Sequence, residues 1–380
     1  TAKRFIKAGR HIGLPQNSDF NEASQLGLGI YKVNQDKGTR VNSYKAFIEP
    51  ILSRPNLTIL TNARVQSIKV EGDSAESVIL EVNGVIKQVF CNKEVVLSAG
   101  AIESPRILLS SGIGNKDELE GEGITCQHNV PGVGENLQDH LDTMVTVRSK
   151  KAESIGVSWS SLFPQVLTSP FNFLFRRMGW WTSNFVEAGG FSATKLGSPE
   201  YPDVQFHFTP IYRSHRGRKF EFGHGYSLFT CLLRPHSKGS VKLSKQGDEY
   251  KLLIDHNFLS DPRDEKNIIE AVKKAREVLL SKEFDEVRGK EIAPGNMVNT
   301  DEEILQYIRK TALTVYHPVG TCKMGTDDLA VVSPSNLKVK GMNNLRVIDA
   351  SIMPCIVSGN TSAPTMMIAE KGARMILNNK

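Results

Sequence analysis

Apolar positions along the chain keep two rhythms: spacings of three and four that suit helices, and alternation that suits strands. The opening TAKRFIKAGRHIGLP sets Phe5, Ile6 and Ile12 among basic positions and reads as a helix. RPNLTILTNARVQSIKVEGD (54–73) predicts two short strands, and SVILEVNGVIKQVF (77–90) a hairpin, because Asn83-Gly84 suits a tight primed turn. In KEVVLSAGAIESPRILLSSGIG (93–114), Val95, Val96 and Leu97 predict a buried strand ended by Gly100. Ser104-Pro105 then opens a helix that stops at Gly112. Such a strand-turn-helix places backbone N–H groups at the carboxyl edge of a sheet, where nucleotides bind.

From about Arg148 to Leu259 the pattern changes to aromatic-rich alternation, with Val204, Phe206 and Phe208 on one face and a second hairpin around Gly247-Asp248. Asp261-Pro262 opens a helix with Ile268, Val272, Ala275 and Leu279 on one stripe, and Thr300-x-x-Glu303 is a capping box. LRVID (345–349) is again a strand, and Pro364 sits at the start of a helix running to about Leu377. Two α/β blocks thus flank an antiparallel middle, an α/β chain that is α+β overall.

With 380 residues, 39% of them hydrophobic and 23% charged, the chain can bury a sizeable core as one large domain or two intertwined ones. The formal charge of +6 includes no long Lys or Arg run, which argues against a nucleic-acid partner. The densest basic cluster, Arg213, His215, Arg216, Arg218 and Lys219, reads as a solvated loop. The five cysteines are scattered and never form C-x-x-C, so neither a disulfide framework nor a metal site is predicted, and a reducing, cytoplasmic setting follows. No apolar run reaches transmembrane length.

Candidate chemistry centres on YHPVGTCKMG (316–325). His317 has only Cys322 near it in sequence, too few groups for a structural zinc. It can fill space, serve as base to a Cys322 nucleophile, or exchange a proton with a bound substrate. Asn360, in SGNTSAPT before the last helix, is either a turn residue or a donor beside a helix N-terminus, where an acceptor that becomes anionic is stabilised.

SAGAIESPRILLSSGIG (98–114), GVGENLQDH (132–140), HPVGTCKMG (317–325) and LRVIDASIMP with GNTSAPTMMIAEKGA (345–373) closely resemble, in order, motifs of the glucose-methanol-choline (GMC) oxidoreductases, flavoenzymes that oxidise alcohols. The resemblance implies that His317 and Asn360 act on the substrate hydroxyl. It also implies that Val65, Gly100, Ala101, Asp349, Ala350, Thr361 and Pro364 line FAD. Family members open with G-x-G-x-x-G, and every G-x-G here lacks the third glycine. The expectation is therefore a chain lacking the N-terminal FAD-binding unit, whose assigned residues are sites of the parent FAD-dependent enzyme, with an inactive fragment that carries no FAD as an alternative. On that reading 1–29 is a helical remnant of the substrate domain and 30–147 is partial FAD-binding domain. Residues 148–316 then form the antiparallel substrate domain, and 317–380 return to the FAD domain.

SNFVEAGGFSAT (183–194) is similar to the stretch with which choline-oxidising members meet a trimethylammonium group. That similarity assigns Glu187 to the cation, with Trp180 or Trp181 as a cation-π wall. Choline dehydrogenase is the expectation, with a nonspecific alkanol dehydrogenase or a non-catalytic product as alternatives. The electron acceptor is oxygen, a quinone or a carrier. SSLFPQVLTSPFNFLFRRMGWW (160–181) reads either as a lid or as a peripheral membrane contact.

Overall fold

The computed structural model describes residues 1–156, 168–214, 219–220, 222–247 and 249–378. His215, Arg216, Arg218 and Asp248 lie outside these, as do residues 160–167 of the aromatic stretch. The described chain divides into two compact units.

The first unit is Thr1–Thr58, Leu141–Arg234 and Pro262–Val315. Its centre is an antiparallel sheet in the order Gly27–Ile30, Ala188–Ser192, Val204–Thr209, Gly225–Leu232, Leu141–Ser149, Arg288–Ala293. The strand Val204–Thr209 is buried at every position, because both of its faces are covered. Phe5, from the predicted opening helix, stacks on Phe208 at 4.7 Å. Ile268, Val272, Ala275 and Leu279 form the buried stripe of the helix Pro262–Leu280. The capping box is present, with Thr300 and Glu303 each bonding the other's backbone N–H.

The second unit is Ile59–His140, Pro235–Asp261 and Tyr316–Lys380. The Asn83-Gly84 hairpin forms as expected, with both residues at positive φ (51° and 80°). Upstream of it the structure has one strand, Ala63–Glu71, where the pattern predicted two. The hairpin Ser240–Gln246 with Glu249–Asp255 belongs to this unit rather than to the antiparallel sheet. Gly239 and Leu137 exchange backbone hydrogen bonds that fasten it.

The strand Val95–Leu97 pairs in parallel with Leu345–Val347, and the amide of Ile348 donates to the Leu97 carbonyl. It is not the buried strand expected, since Val96 is 38% exposed. The helix after it spans Gly100–Ser110, so it starts four residues before the expected Ser104-Pro105. Proline inside a helix leaves the carbonyl four residues earlier without its N–H partner. Here that carbonyl belongs to Ala101, and the buried Thr321 hydroxyl donates to it at 2.5 Å. A contact from 220 positions away thus permits a helix that local rules would end. The final helix, Ser362–Asn378, contains Pro364 in its first turn.

Candidate active site

Within the second unit, two extended segments lie side by side because Val319 and Gln138 exchange backbone hydrogen bonds of 2.9 and 3.0 Å. The polar residues of GVGENLQDH then fasten the neighbouring loop. Asn136 Nδ2 donates to the carbonyls of Gly320 and Pro354, and Gln138 Nε2 donates to that of Pro354. The Ile356 amide in turn donates to Gln138 Oε1. Gly320 sits at φ 94°, and a Cβ there would collide with the Asn136 carbonyl.

This frame brings His317 against three groups. Its backbone N–H donates to Asp139 Oδ1 at 2.9 Å, an oxygen that also accepts from the His140 amide. The carboxylate's other oxygen lies 3.3 Å from His256 Nε2. His317 Nδ1 is 3.0 Å from His140 Nδ1, and Asn360 Nδ2 is 3.3 Å from His317 Nε2. An amide nitrogen can only donate, so His317 Nε2 presents a lone pair. The single proton between the two Nδ1 atoms therefore sits on His317, and the His140 proton sits on its Nε2. Burial, with 8% of the residue exposed, pushes the imidazole below its usual pKa, against a smaller opposing pull from Asp139. A neutral ring whose Nε2 lone pair meets an exposed amide is equipped to take a proton from a hydroxyl that replaces this contact and lies against both groups.

The expected FAD-lining residues Gly100, Ala101, Asp349 and Ala350 gather at the carboxyl ends of the two parallel strands. Asp349 Oδ2 accepts from the Gly100 amide at 2.9 Å and from the Ser104 hydroxyl at 2.6 Å. Ala350 accepts from the Gly320 amide at 3.4 Å. The Val65 carbonyl accepts from the Arg106 guanidinium, on the helix that begins at Gly100. Thr361 directly follows Asn360 and leads into the helix with Pro364. The helix at Gly100 has no side-chain cap of its own, and Gly100 (φ 86°) has open space where a Cβ would stand. The Asp349 carboxylate holds the first amide of this helix, and the open space beside Gly100 at the strand edge leaves room for a flavin.

In the first unit, Glu187 is half-buried, and its Oε1 accepts from Ser183 Oγ at 2.8 Å. Glu187 borders an open cleft of about 490 Å³ with Ser183, Glu153 and Pro210. Trp180 lies in the short turn Trp180–Thr182, and Trp181 is 61% exposed with its ring 6.0 Å from Phe173. Sequence reasoning missed Asp142. It is half-buried, its shielded Oδ1 has no hydrogen-bond partner among the described residues, and desolvation pushes its carboxyl well above the usual range. The available signal was an acid in the otherwise apolar run LDTMVTV. Cys322 is fully buried and burial pushes its thiol up, so it is no nucleophile.

Two family models, both described as GMC oxidoreductase, match residues 1–142 and 235–369. The chain is 42% identical over 380 residues to an alcohol dehydrogenase [acceptor] of Pseudomonas putida, covering 99% of this chain and 68% of that protein. It is 38% identical over 381 residues to an oxygen-dependent choline dehydrogenase of Staphylococcus aureus, covering 99% and 66%. Pyridoxine 4-oxidase from Mesorbium loti superposes with a TM-score of 0.84 at 31% identity, covering 98% of this chain and 69% of that one. The chain belongs to the GMC oxidoreductase family, whose cofactor is FAD. It spans about two thirds of the length of these curated relatives.

One expectation is corrected. The N-terminal family model covers residues 1–142, so the chain does not lack that domain. The sequence carries no G-x-G-x-x-G, and the absence of that turn was read as the absence of the whole unit.

Proposed function

We propose that this chain oxidises an alcohol to an aldehyde, with His317 taking the hydroxyl proton. The observation that carries this reading is the neutral, buried His317 whose Nε2 lone pair faces Asn360 Nδ2 at 3.3 Å. The hydroxyl oxygen replaces their direct contact and sits against both, giving its proton to Nε2 and accepting from the amide. Asn360 then steadies the charge that develops on that oxygen. Bound FAD supplies the hydride acceptor for the carbinol carbon. Gly100, Ala101, Asp349, Ala350, Val65, Thr361 and Pro364 are the residues assigned to hold it. The second unit is accordingly assigned to the flavin and the first to the substrate.

The relatives' names, one an alcohol dehydrogenase and one a choline dehydrogenase, support an alcohol and leave a cationic one as the finer assignment. For a quaternary ammonium substrate such as choline the chain offers two carboxylates. Glu187 accepts from Ser183 at the border of the cleft, whereas Asp142 is half-buried and burial of its carboxyl favours the neutral acid. Glu187, with Trp180 and Trp181, is therefore the carboxylate assigned to the cation.

The test is steady-state oxidation of choline and of a neutral alcohol of equal size by the full-length, FAD-loaded protein, with oxygen, a quinone and a dye as acceptors. Glu187→Gln should weaken choline far more than the neutral alcohol. Equal losses would remove the cation site, and no turnover of any alcohol would remove the proposal.

A further inference from the structure

The helix Ser169–Arg176 and the turn after it carry Phe171, Leu174, Phe175 and Met178 at spacings of three, four and seven. Each is at least 64% exposed, and Phe175 is 81% exposed. A surface helix ordinarily turns such a stripe inward. This one turns it to solvent, and Trp181 at 61% exposed extends it. Arg176 and Arg177 accompany the stripe, the Arg177 guanidinium lying over the Phe173 ring at 4.9 Å. No acidic residue occurs between Glu153 and Glu187.

Exposed aromatic and aliphatic side chains beside cations, with no anion in the segment, match the boundary of a negatively charged lipid leaflet. The charge pattern also selects against a buried protein contact, which would have to desolvate both guanidinium groups. We propose that this face docks on an anionic lipid surface, with Phe171, Leu174, Phe175 and Met178 below the headgroups and Arg176 and Arg177 on the phosphates. At eight residues the helix is about 12 Å long, so it lies in the interface plane. Among the described residues no helix is long and apolar enough to cross a membrane. Two arginines near an anionic leaflet favour it over a neutral one on the order of thirtyfold. The inference is independent of which alcohol the site takes.

The experiment is co-sedimentation of the full-length, FAD-loaded protein with vesicles of phosphatidylcholine alone, or of phosphatidylcholine with phosphatidylglycerol, at low and high salt. Binding should be confined largely to the phosphatidylglycerol vesicles and should weaken with salt. The double variants Leu174→Ser with Phe175→Ser, and Arg176→Glu with Arg177→Glu, should each lower partitioning about tenfold or more while turnover with a soluble dye stays unchanged. Equal partitioning into both vesicle types, or none, overturns the proposal. So does a halving of the solution mass in Leu174→Ser with Phe175→Ser without any vesicle binding by the parent, which would make the face a subunit contact. Lost dye turnover with vesicle binding intact would make it a lid instead.

Discussion

The Nδ1 atoms of His140 and His317 lie 3.0 Å apart with the ring planes at 84°, although 177 positions separate the residues. Two unprotonated nitrogens repel at that distance, so one proton must lie between them. His140 thereby fixes which nitrogen of His317 faces Asn360. On the proposed reading it is a positioning residue, and the loss of its ring lets His317 turn or adopt the wrong tautomer. His140→Ala should slow flavin reduction by roughly a hundredfold with little change in KM, the scale of a misplaced reacting group. His140→Asn, whose carbonyl can accept the same proton, should recover part of the rate. Equal rates for wild type and His140→Ala in a stopped-flow assay would show that the pair has no part in orientation.

Removing the base itself should cost more. His317→Ala is expected to slow flavin reduction on the order of a hundredfold or more, the range of general base catalysis. The slowed reaction should lose its acidic limb. Unchanged reduction would take His317 out of the chemistry.

The acidic limb has a defined position. Burial lowers the His317 pKa from its usual 6.5, so the ring is neutral at pH 7 and protonates only below the ordinary value. The rate constant kcat/KM should be flat through neutrality and fall with unit slope below about pH 6.5. Stability carries the same sign: the unfolded chain binds the proton first as pH falls, so this group's contribution is present above the unfolded value and declines as pH drops through the window. A limb centred above pH 7 would contradict the buried, neutral imidazole.

Thr321 completes the helix that contains Pro105. Thr321→Val keeps the shape and strips the Ala101 carbonyl of its donor, which should cost about 1–3 kcal/mol in denaturant unfolding. Thr321→Ser should restore most of it. Equal loss in both would mean that packing of the methyl group, rather than the hydroxyl, holds the helix.

The Asn83-Gly84 hairpin and the capping box were legible because each rests on neighbours in sequence, whereas His317 and Asn360 were singled out by the resemblance of their motifs and are brought together only by the fold. The start of the helix at Gly100 was not, because Ser104-Pro105 is a sound local start signal that only a distant hydroxyl overrides. His140 and Asp139 stood within a recognised motif, yet their roles depend on His256 and His317, which the chain delivers from far away. Asp142 was hidden for a related reason: an acid in a strand is unremarkable until burial leaves its oxygen without a partner.

The order of synthesis adds a consequence to the histidine pair. At ribosomal speeds of about 5–20 residues per second, His140 waits on the order of ten to thirty-five seconds for His317 to be made. During that interval Asp139 and His140 form half of a polar cluster with no second half to close it. Val95 waits longer still for Leu345, its parallel partner, so the nascent second unit stays open until its final segment has been made.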